Sequence, residues 1–219
     1  MGRRKKEAPK IHRESISGAA ERLFLAKGIQ GTTMDDIARE AGYSKATLYV
    51  YFRDKEEIIS FLALRSMEKL YHYIHASLET QTHIRAQYDL LCHSLQQYQE
   101  EYPLYFSIAL GKINIDGSAP DGLTEDRESF RIGEEINGLI GQFLQKGIQS
   151  GQLRPDLNIL PAIFSFWGML SGLIQTAANK EPYILRELHL SKEEFLEYGF
   201  DTLYRSISNH RVPIPGGVR

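Results

Sequence analysis

The sequence predicts an all-α protein of about nine helices. Apolar residues recur at steps of three and four along most of the chain, and no segment alternates apolar and polar residues as a strand does. Glycine and proline separate the periodic segments. With 219 residues, 42% of them hydrophobic, the chain is long enough for one compact domain or two small ones.

Charge divides the chain into two unequal parts. Residues 1–65 carry 13 Lys and Arg against 9 Asp and Glu, a net charge of +4, whereas the whole chain carries −2. A basic N-terminal third on an acidic body indicates a surface for a polyanion, although a solvated basic tail would give the same totals. The single cysteine, Cys92, excludes an internal disulfide framework and fits a reducing cytosol.

The first predicted helix follows a basic segment. Residues 1–10 are expected to form a flexible arm that adds affinity for phosphates or reaches a minor groove, with a solubilising tail as the alternative. From Ile11 to Lys27 the apolar residues keep a helical spacing, and Gly28 ends the helix. We expect this helix to be a scaffold for the two that follow.

The second helix is framed by capping residues. Thr32 and Thr33 offer hydroxyl N-caps, and Asp35 and Asp36 are the capping-box partners. Gly42 ends the helix because glycine readily takes the left-handed conformation. Only one residue separates this glycine from the next capping residue, so we expect a tight turn.

The third helix begins at its cap, Ser44, and is too short to be stable alone. Leu48 and Phe52 are expected to anchor it inward. A helix, a glycine turn and a second capped helix form the outline of a helix-turn-helix. The outer face has no carboxylate and suits phosphates and base edges. It comprises Lys45, Ala46, Thr47, Tyr49 and Tyr51.

Several motifs between about Ile11 and Arg65 fall in one order at fixed spacing. Together they resemble the DNA-binding domain of the TetR/AcrR family of bacterial transcriptional regulators, over roughly the first third of the chain. One departure is Tyr51, because many relatives have His there, and a phenol can still bond a phosphate. The matching motifs are AAERLFLAKG (Ala19–Gly28), TTMDDIAREAG (Thr32–Gly42) and SKATLYVYFRDKEEI (Ser44–Ile58).

The resemblance implies two functional domains. A three-helix DNA-binding domain would occupy residues 11–56, and a helical effector-binding and dimerisation domain residues 57–210. Residues 211–219 are predicted to be a frayed tail. A long helix from Lys55 to about Leu78 leaves the first domain and enters the second, so it can transmit motion between them.

The resemblance also implies roles for individual residues at the DNA. For Lys55, in the first turn of its helix, we expect a phosphate contact, with an ordinary exposed lysine as the alternative. The residues expected at base edges are Lys45, Ala46 and Thr47. The residues expected to position the phosphate backbone are Thr33, Ser44, Tyr49, Tyr51 and Lys55.

The second domain is predicted from periodic segments and their breaks. A turn-rich loop, NIDGSAPD, occupies residues 114–121. Ser191 with Glu194 forms a capping box at the start of the last helix. The other predicted helices are His83–Tyr102, Leu104–Leu110, Leu123–Gln149, Ile159–Ala178 and a short one within residues 181–190.

The segment Leu157–Asn179 has no charge and is long enough to span a membrane. It also contains proline and several polar residues, and no second span or flanking basic cluster accompanies it. A helix that is apolar all round can equally be buried in a protein interior. We therefore predict a buried helix and no membrane partner.

The same uncharged segment predicts a dimer interface. Gly168 and Gly172 lie four residues apart and would let a second helix approach closely. In the TetR family the last two long helices form a four-helix bundle across a two-fold axis. The residues expected there are Gly168, Gly172, Phe200 and Leu203. Two-fold symmetry would require a pseudo-palindromic operator.

The resemblance implies a small-molecule effector pocket in the core of the second domain, and the aromatic residues there are its candidates. Aromatic rings with polar tips suit an apolar or cationic small molecule, although an aromatic stripe at helical spacing is also ordinary core. The candidates are Tyr71, Tyr88, Phe143 and Trp167. The histidines His72, His75, His83 and His93 lack the carboxylate or thiol spacing of a specific metal site, so we predict no metal and no cofactor.

The sequence therefore predicts a cytoplasmic, homodimeric TetR-like regulator, acting as a repressor that a small molecule releases from double-stranded DNA. The alternatives are an activator, a sequence-nonspecific architectural DNA binder, and a helical small-molecule-binding protein with a vestigial DNA module. No nucleotide-binding loop and no set of nucleophile and base is present, so we predict no enzyme.

Overall fold

The computed structural model describes residues 9–79, 83–111 and 123–209. These residues form nine α-helices and contain one isolated β-bridge, Leu153 to Ser208, but no strand. The predicted all-α class is confirmed. The helices are α1 (Pro9–Lys27), α2 (Met34–Ala41), α3 (Lys45–Tyr51), α4 (Lys55–Glu79), α5 (Ile84–Glu101), α6 (Pro103–Ala109), α7 (Thr124–Gln149), α8 (Ile159–Tyr183) and α9 (Lys192–Ile207).

Three predicted segments fall wholly or partly outside the described residues. They are the loop at 114–121, the tail at 211–219 and the first eight residues of the predicted arm. The last two arm residues were predicted wrongly, because α1 begins at Pro9. Proline suits the first helical position, where its missing N–H would have no partner in any case and its fixed φ is helical.

The chain divides into two compact units. The first contains α1 to α3, the start of α4 as far as Glu68, and the segment Leu104–Arg131. The second contains Lys69–Pro103 and the residues from Ile132 onward. The predicted division between residues 56 and 57 concerns function rather than compactness, and it stays a prediction.

The first unit is built on α1, which packs against α2 and α3. Its apolar stripe is buried as its spacing predicts, with Ile16 and Ala20 fully buried and Phe24 nearly so. Gly28 ends α1 with φ 78°, the left-handed conformation that glycine adopts at least cost. This helix is therefore the scaffold that the sequence predicts.

The second unit is organised around α5, α8 and α9, which pack against one another. Tyr88 of α5 is fully buried, and its hydroxyl donates to the backbone oxygen of Phe200 at 2.8 Å. Gly199 of α9 faces Leu173 of α8, and a Cβ added there would overlap the leucine side chain. The glycine lets α8 and α9 approach closely.

The end of α8 differs from its predicted form. The predicted break after Ala178 is a kink, with φ −121° and ψ 17° at Lys180, and the helix continues to Tyr183. Pro182 explains the kink, because its ring crowds the carbonyl four residues earlier and removes one helical hydrogen bond. The predicted short helix follows partly as a π-helical segment, Ile184–Leu188.

The helix α8 with its π-helical segment, Ile159–Leu188, is the only helix in the described ranges that is long and apolar enough to cross a membrane. One of its sides is buried in the second unit, through residues such as Ile163, Leu170 and Ile174. Since only 28% of its most apolar stretch is buried, the helix joins the core along one side, and the prediction of a buried helix holds for that side only.

The predicted histidines and Cys92 have ordinary surroundings. Cys92 is fully buried, and burial raises the pKa of its thiol, so it acts as a neutral packing group. His93 shares a hydrogen bond with Glu197 at 2.6 Å, and His75 lies 3.3 Å from Glu79. Within residues 9–79, 83–111 and 123–209, no cluster of His, Cys, Asp and Glu could hold a metal ion.

Candidate nucleic-acid interface

The helix α2 is fixed at its start by a complete capping box. The Thr33 hydroxyl accepts from the backbone N–H of Asp36 at 3.2 Å, and the Asp36 carboxylate accepts from the backbone N–H of Thr33 at 3.1 Å. Lys27 donates to the same carboxylate at 2.6 Å. The hydrogen bond from Lys27, and to a smaller extent those from Thr33, hold the pKa of Asp36 well below its usual value. The carboxylate is therefore ionised at neutral pH.

The turn into α3 is the one that the sequence predicts. Gly42 has φ 73°, and its N–H donates to the backbone oxygens of Ala38 and Arg39 in the last turn of α2. The Ser44 hydroxyl then accepts from the backbone N–H of Thr47 at 3.1 Å and caps α3. The hydroxyls of Ser44 and Thr47 also lie 2.8 Å apart and share a hydrogen bond, so each already has a partner within the protein.

Two buried anchors hold α3, which has only seven residues. Leu48 is fully buried and Phe52 is 1% exposed. The guanidinium of Arg13, on α1, lies 4.5 Å from the centre of the Phe52 ring. Since so short a helix is unstable alone, these contacts fix its position.

The outward face of α3 is small and partly apolar. Ala46 is exposed, Tyr49 is 46% exposed and Val50 is 76% exposed. The sequence analysis did not include Val50 in this face. Two residues along a helix point in nearly opposite directions, so the inward Leu48 implies an outward Val50. An exposed apolar side chain at this place suits the methyl group of a thymine in the major groove.

Lys45 is not a free cation on this face. Its ammonium lies 2.8 Å from the carboxylate of Asp35, and both side chains are more than half exposed. This hydrogen bond is the main reason that the pKa of Lys45 is raised. The prediction of a reading face without a carboxylate was therefore incomplete. It considered α3 alone, and the carboxylate comes from α2.

Lys55 makes contacts that the sequence analysis did not predict. Its ammonium donates to the backbone oxygens of Ile29 at 2.8 Å and Thr32 at 3.0 Å. It therefore ties the start of α4 to the loop between α1 and α2, instead of projecting as an exposed lysine. A phosphate contact through its remaining N–H stays a prediction.

Tyr51 lies to one side of the reading face. Its ring is 4.9 Å from the ring of His12 and 6.5 Å from that of Tyr43. His12 in turn bonds the Tyr43 hydroxyl at 2.8 Å. The structure thus places Tyr51 in an aromatic group that joins α1 to the end of α3, and its phosphate contact stays a prediction.

Arg13 joins three parts of the first unit. Its guanidinium lies 3.2 Å from Glu57 on α4 and 2.9 Å from Glu125 on α7. Glu57 also accepts from the backbone N–H of Arg53, just after α3, at 2.9 Å. The ion pairs of Arg13 were missed from sequence because Arg13 lies more than 40 residues from both Glu57 and Glu125 along the chain.

The predicted dimer residues lie in two different environments. Gly168 and Gly172 are exposed, and a Cβ added at either would meet nothing within 4 Å. Leu203 and Gly172 line a shallow groove between α8 and α9, with Met169 and Tyr198. Phe200 was predicted at the dimer interface, and this prediction is corrected. Its side chain is 2% exposed and belongs to the core of the chain.

The predicted effector residues are dispersed over the second unit. Tyr88 is fully buried against the rings of Phe166 and Tyr204, and Phe143 is 5% exposed. Tyr71 and Trp167 are half-buried, and the Tyr71 ring stacks on His75. None of these four predicted residues lines the groove between α8 and α9. Their contact with a ligand stays a prediction.

Comparisons with known proteins identify the family. The family model described as bacterial regulatory proteins, tetR family, matches residues 16–60, which include α2 and α3. The transcriptional regulator TtgR of Pseudomonas putida is 33% identical over 180 residues, covering 80% of this chain and 84% of that protein.

Two solved structures share the fold. The ketosteroid transcriptional regulator KstR2 of Mycobacterium tuberculosis has a TM-score of 0.68 at 18% identity, covering 90% of this chain and 94% of that chain. The regulator FadR of Bacillus subtilis, in complex with stearoyl-CoA, has a TM-score of 0.65 at 16% identity, covering 87% and 97%. The chain belongs to the TetR family and is a helix-turn-helix, DNA-binding transcriptional regulator rather than an enzyme.

Proposed function

We propose that this protein is a homodimeric, cytoplasmic repressor that binds a pseudo-palindromic operator and is released by a small-molecule effector. The observation that carries the proposal is the presence of two separate exposed surfaces. One is the outward face of α3, and the other is an apolar face on α8 and α9.

The α3 surface supports sequence-specific binding. A recognition helix enters the major groove with its N-terminal residues at base edges. Here that end presents Lys45 and Ala46, and the next turn presents Tyr49 and Val50. The caps and buried anchors fix the helix before DNA arrives, so little order has to be gained on binding.

The face of α8 supports a dimer. Exposed residues recur every fourth position along it, and two of them, Leu160 and Phe164, are more than half exposed. Two large apolar side chains exposed side by side in one row are best covered by another protein surface. The row is completed by small or short side chains, which would let a second helix lie close. Its members are Leu160, Phe164, Gly168, Gly172 and Thr176.

The effector would act by binding one dimer conformation better than the other. The helix α4 belongs to both compact units, so a change in the second unit can move the start of the helix beside α3. The effect is limited by the difference in affinity between the two conformations, typically about 5- to 150-fold. FadR with stearoyl-CoA is a precedent in this fold for a ligand that carries a long apolar chain.

A genomic-fragment selection with the purified protein at physiological salt tests the proposal. The expected result is one pseudo-palindrome whose half-sites lie one helical turn apart, or a multiple of it. Enrichment that follows base composition alone would instead indicate an architectural binder, which depends on many phosphate contacts and discriminates poorly among sequences.

Tyr49→Ala provides the matching test in the protein. Tyr49 is 46% exposed, so its removal should leave folding and assembly intact but weaken binding to the selected operator. A gel-shift titration measures the change, and sedimentation velocity checks the assembly. Unchanged operator affinity would contradict the role of α3 as the reading helix.

A further inference from the structure

An ion pair stands at the end of α3 that is expected to meet bases. Lys45 is the first residue of α3, and its ammonium lies 2.8 Å from Asp35 on α2. The two side chains are 61% and 56% exposed. The pair therefore lies on the surface that DNA would cover, and both partners must be considered in the bound state.

The chemistry of the two partners restricts where Lys45 can bind. A lysine ammonium is carried on a flexible four-carbon stem, so it can normally reach a nearby phosphate. The phosphate oxygens accept hydrogen bonds from it, because they are acceptors only. Asp35 also offers only acceptors and competes for the same N–H groups. Acceptors at base edges, the O6 and N7 atoms of guanine, lie in the groove that the N-terminal end of α3 enters.

We propose that Asp35 is a positioning residue for sequence reading. Its carboxylate holds the ammonium of Lys45 over the N-terminal end of α3, toward base edges and away from phosphates. Lys45 then contributes to recognition of a guanine and adds little to non-specific affinity. This inference rests on the proposed binding of a specific operator.

Asp35 is separable from the fold. The capping box of α2 uses Thr33 and Asp36, and Asp35 takes no part in it. Asp35→Asn keeps the shape of the side chain and removes its charge, so the variant is expected to fold. Glu40→Gln is the matched control. Glu40 is on the same helix and makes an exposed ion pair with Arg22 at 2.9 Å, but it contacts no residue of α3 in that pair.

The first experiment measures non-specific binding. Full-length proteins are titrated with a random-sequence duplex over a series of salt concentrations, and the slope of log affinity against log salt counts the phosphates that are neutralised. Lys45→Gln is introduced into three backgrounds: the natural chain, the Asp35→Asn variant and the Glu40→Gln variant. Within each background, the loss of slope caused by Lys45→Gln is measured, and the three losses are then compared.

The expected pattern is specific to the pair. Asp35→Asn should tighten non-specific binding about two- to fivefold and steepen the slope by about 0.9, because Lys45 becomes free to meet one phosphate. Lys45→Gln should remove that gain in the Asp35→Asn background. It should leave the slope nearly unchanged in the natural chain and in the Glu40→Gln background.

Equal slope losses from Lys45→Gln in all three backgrounds would overturn the proposal, since Lys45 would then neutralise a phosphate whether or not Asp35 is charged. If Asp35→Asn failed to fold, the natural background would still decide. There, a loss of about 0.9 in slope on Lys45→Gln contradicts the proposal, and no loss supports it.

The second experiment reads the bases. In the genomic-fragment selection, the natural protein should prefer guanine at one position of each half-site, and both Asp35→Asn and Lys45→Gln should weaken that preference about 5-fold or more. Glu40→Gln should keep it. An unchanged guanine preference in Asp35→Asn overturns the positioning role. No enriched sequence with the natural protein would instead refute the proposed operator, while the salt slopes still test whether Asp35 holds Lys45.

Discussion

The exposed faces of α3 and α8 show how the same chain presents two kinds of partner surface. The face of α3 is short and carries a lysine paired with Asp35 of α2, a phenol and one valine. The face of α8 is part of a 25-residue helix and is a row of apolar and small side chains. A polyanion suits the first face, and a second copy of the chain suits the other.

The two faces also differ in what holds them in place. The seven residues of α3 depend on Leu48, Phe52 and the Ser44 cap, since the helix has too few internal hydrogen bonds to persist alone. The helix α8 is long, and its other side is buried in the second unit. The surface of α3 is therefore sensitive to its anchors, and that of α8 to changes on the face itself.

Phe164→Glu should have the largest effect. A charge at this exposed position on α8 would be buried without a partner in the proposed dimer. We expect monomers at micromolar concentration in sedimentation velocity, and a loss of operator affinity of about 100- to 10,000-fold as the two half-sites are no longer linked. Leu90→Glu, at an exposed position on α5, is the control and should leave both properties unchanged.

Leu48→Ala should come next. The side chain is fully buried, so its truncation should lower the free energy of unfolding by about 2–5 kcal/mol and loosen α3. Urea unfolding of the free protein measures this change. A cost below about 0.5 kcal/mol, the range of ordinary surface changes, would mean that α3 is held by other contacts.

Capping offers a direct comparison of the two ends of the chain. Thr33→Ala removes the capping box of α2, an eight-residue helix, and Ser191→Ala removes that of the 16-residue α9. Each should cost about 1 kcal/mol in stability. We expect the larger loss at α2, because a shorter helix has fewer other bonds to hold its first turn. Equal losses in thermal unfolding would show that length does not matter here.

Val50→Ala should have the smallest effect, and only on DNA. The side chain is 76% exposed, so stability should change by less than about 0.5 kcal/mol. Loss of its methyl contact should weaken binding by about three- to fivefold at operators with a thymine opposite it. Competition gel shifts with thymine replaced by uracil provide the check, since uracil lacks the methyl group and should abolish the difference between the two proteins.

Local signals explain why the helix-turn-helix was predictable. Thr33, Gly42 and Ser44 act on residues within four positions of themselves, and a capping pattern needs no knowledge of the rest of the chain. The anchors Leu48 and Phe52 were equally predictable, because inward and outward positions of a short helix follow from its period.

The misses come from contacts that a local pattern does not contain. Asp35 was assigned to the cap of its own helix, and its partner Lys45 lies ten residues later in another helix. Lys55 was expected to contact a phosphate, and no local pattern indicated that it also donates to carbonyls 23 and 26 residues earlier. For Phe200, an apolar position in the last helix was consistent with either the core or a partner surface, and only packing distinguishes them.

The ion-paired group around Arg13 affects how DNA-binding domains can be exchanged between related regulators. Arg13 lies between the rings of Phe52 and Phe61 and contacts Glu125, which belongs to the first turn of α7. A chimera that takes only the helix-turn-helix from this protein lacks Glu125. Arg13 would then face a residue of the other regulator at that place. A chimera that also carries Leu104–Arg131 keeps the group whole, so the natural unit of exchange is discontinuous in sequence.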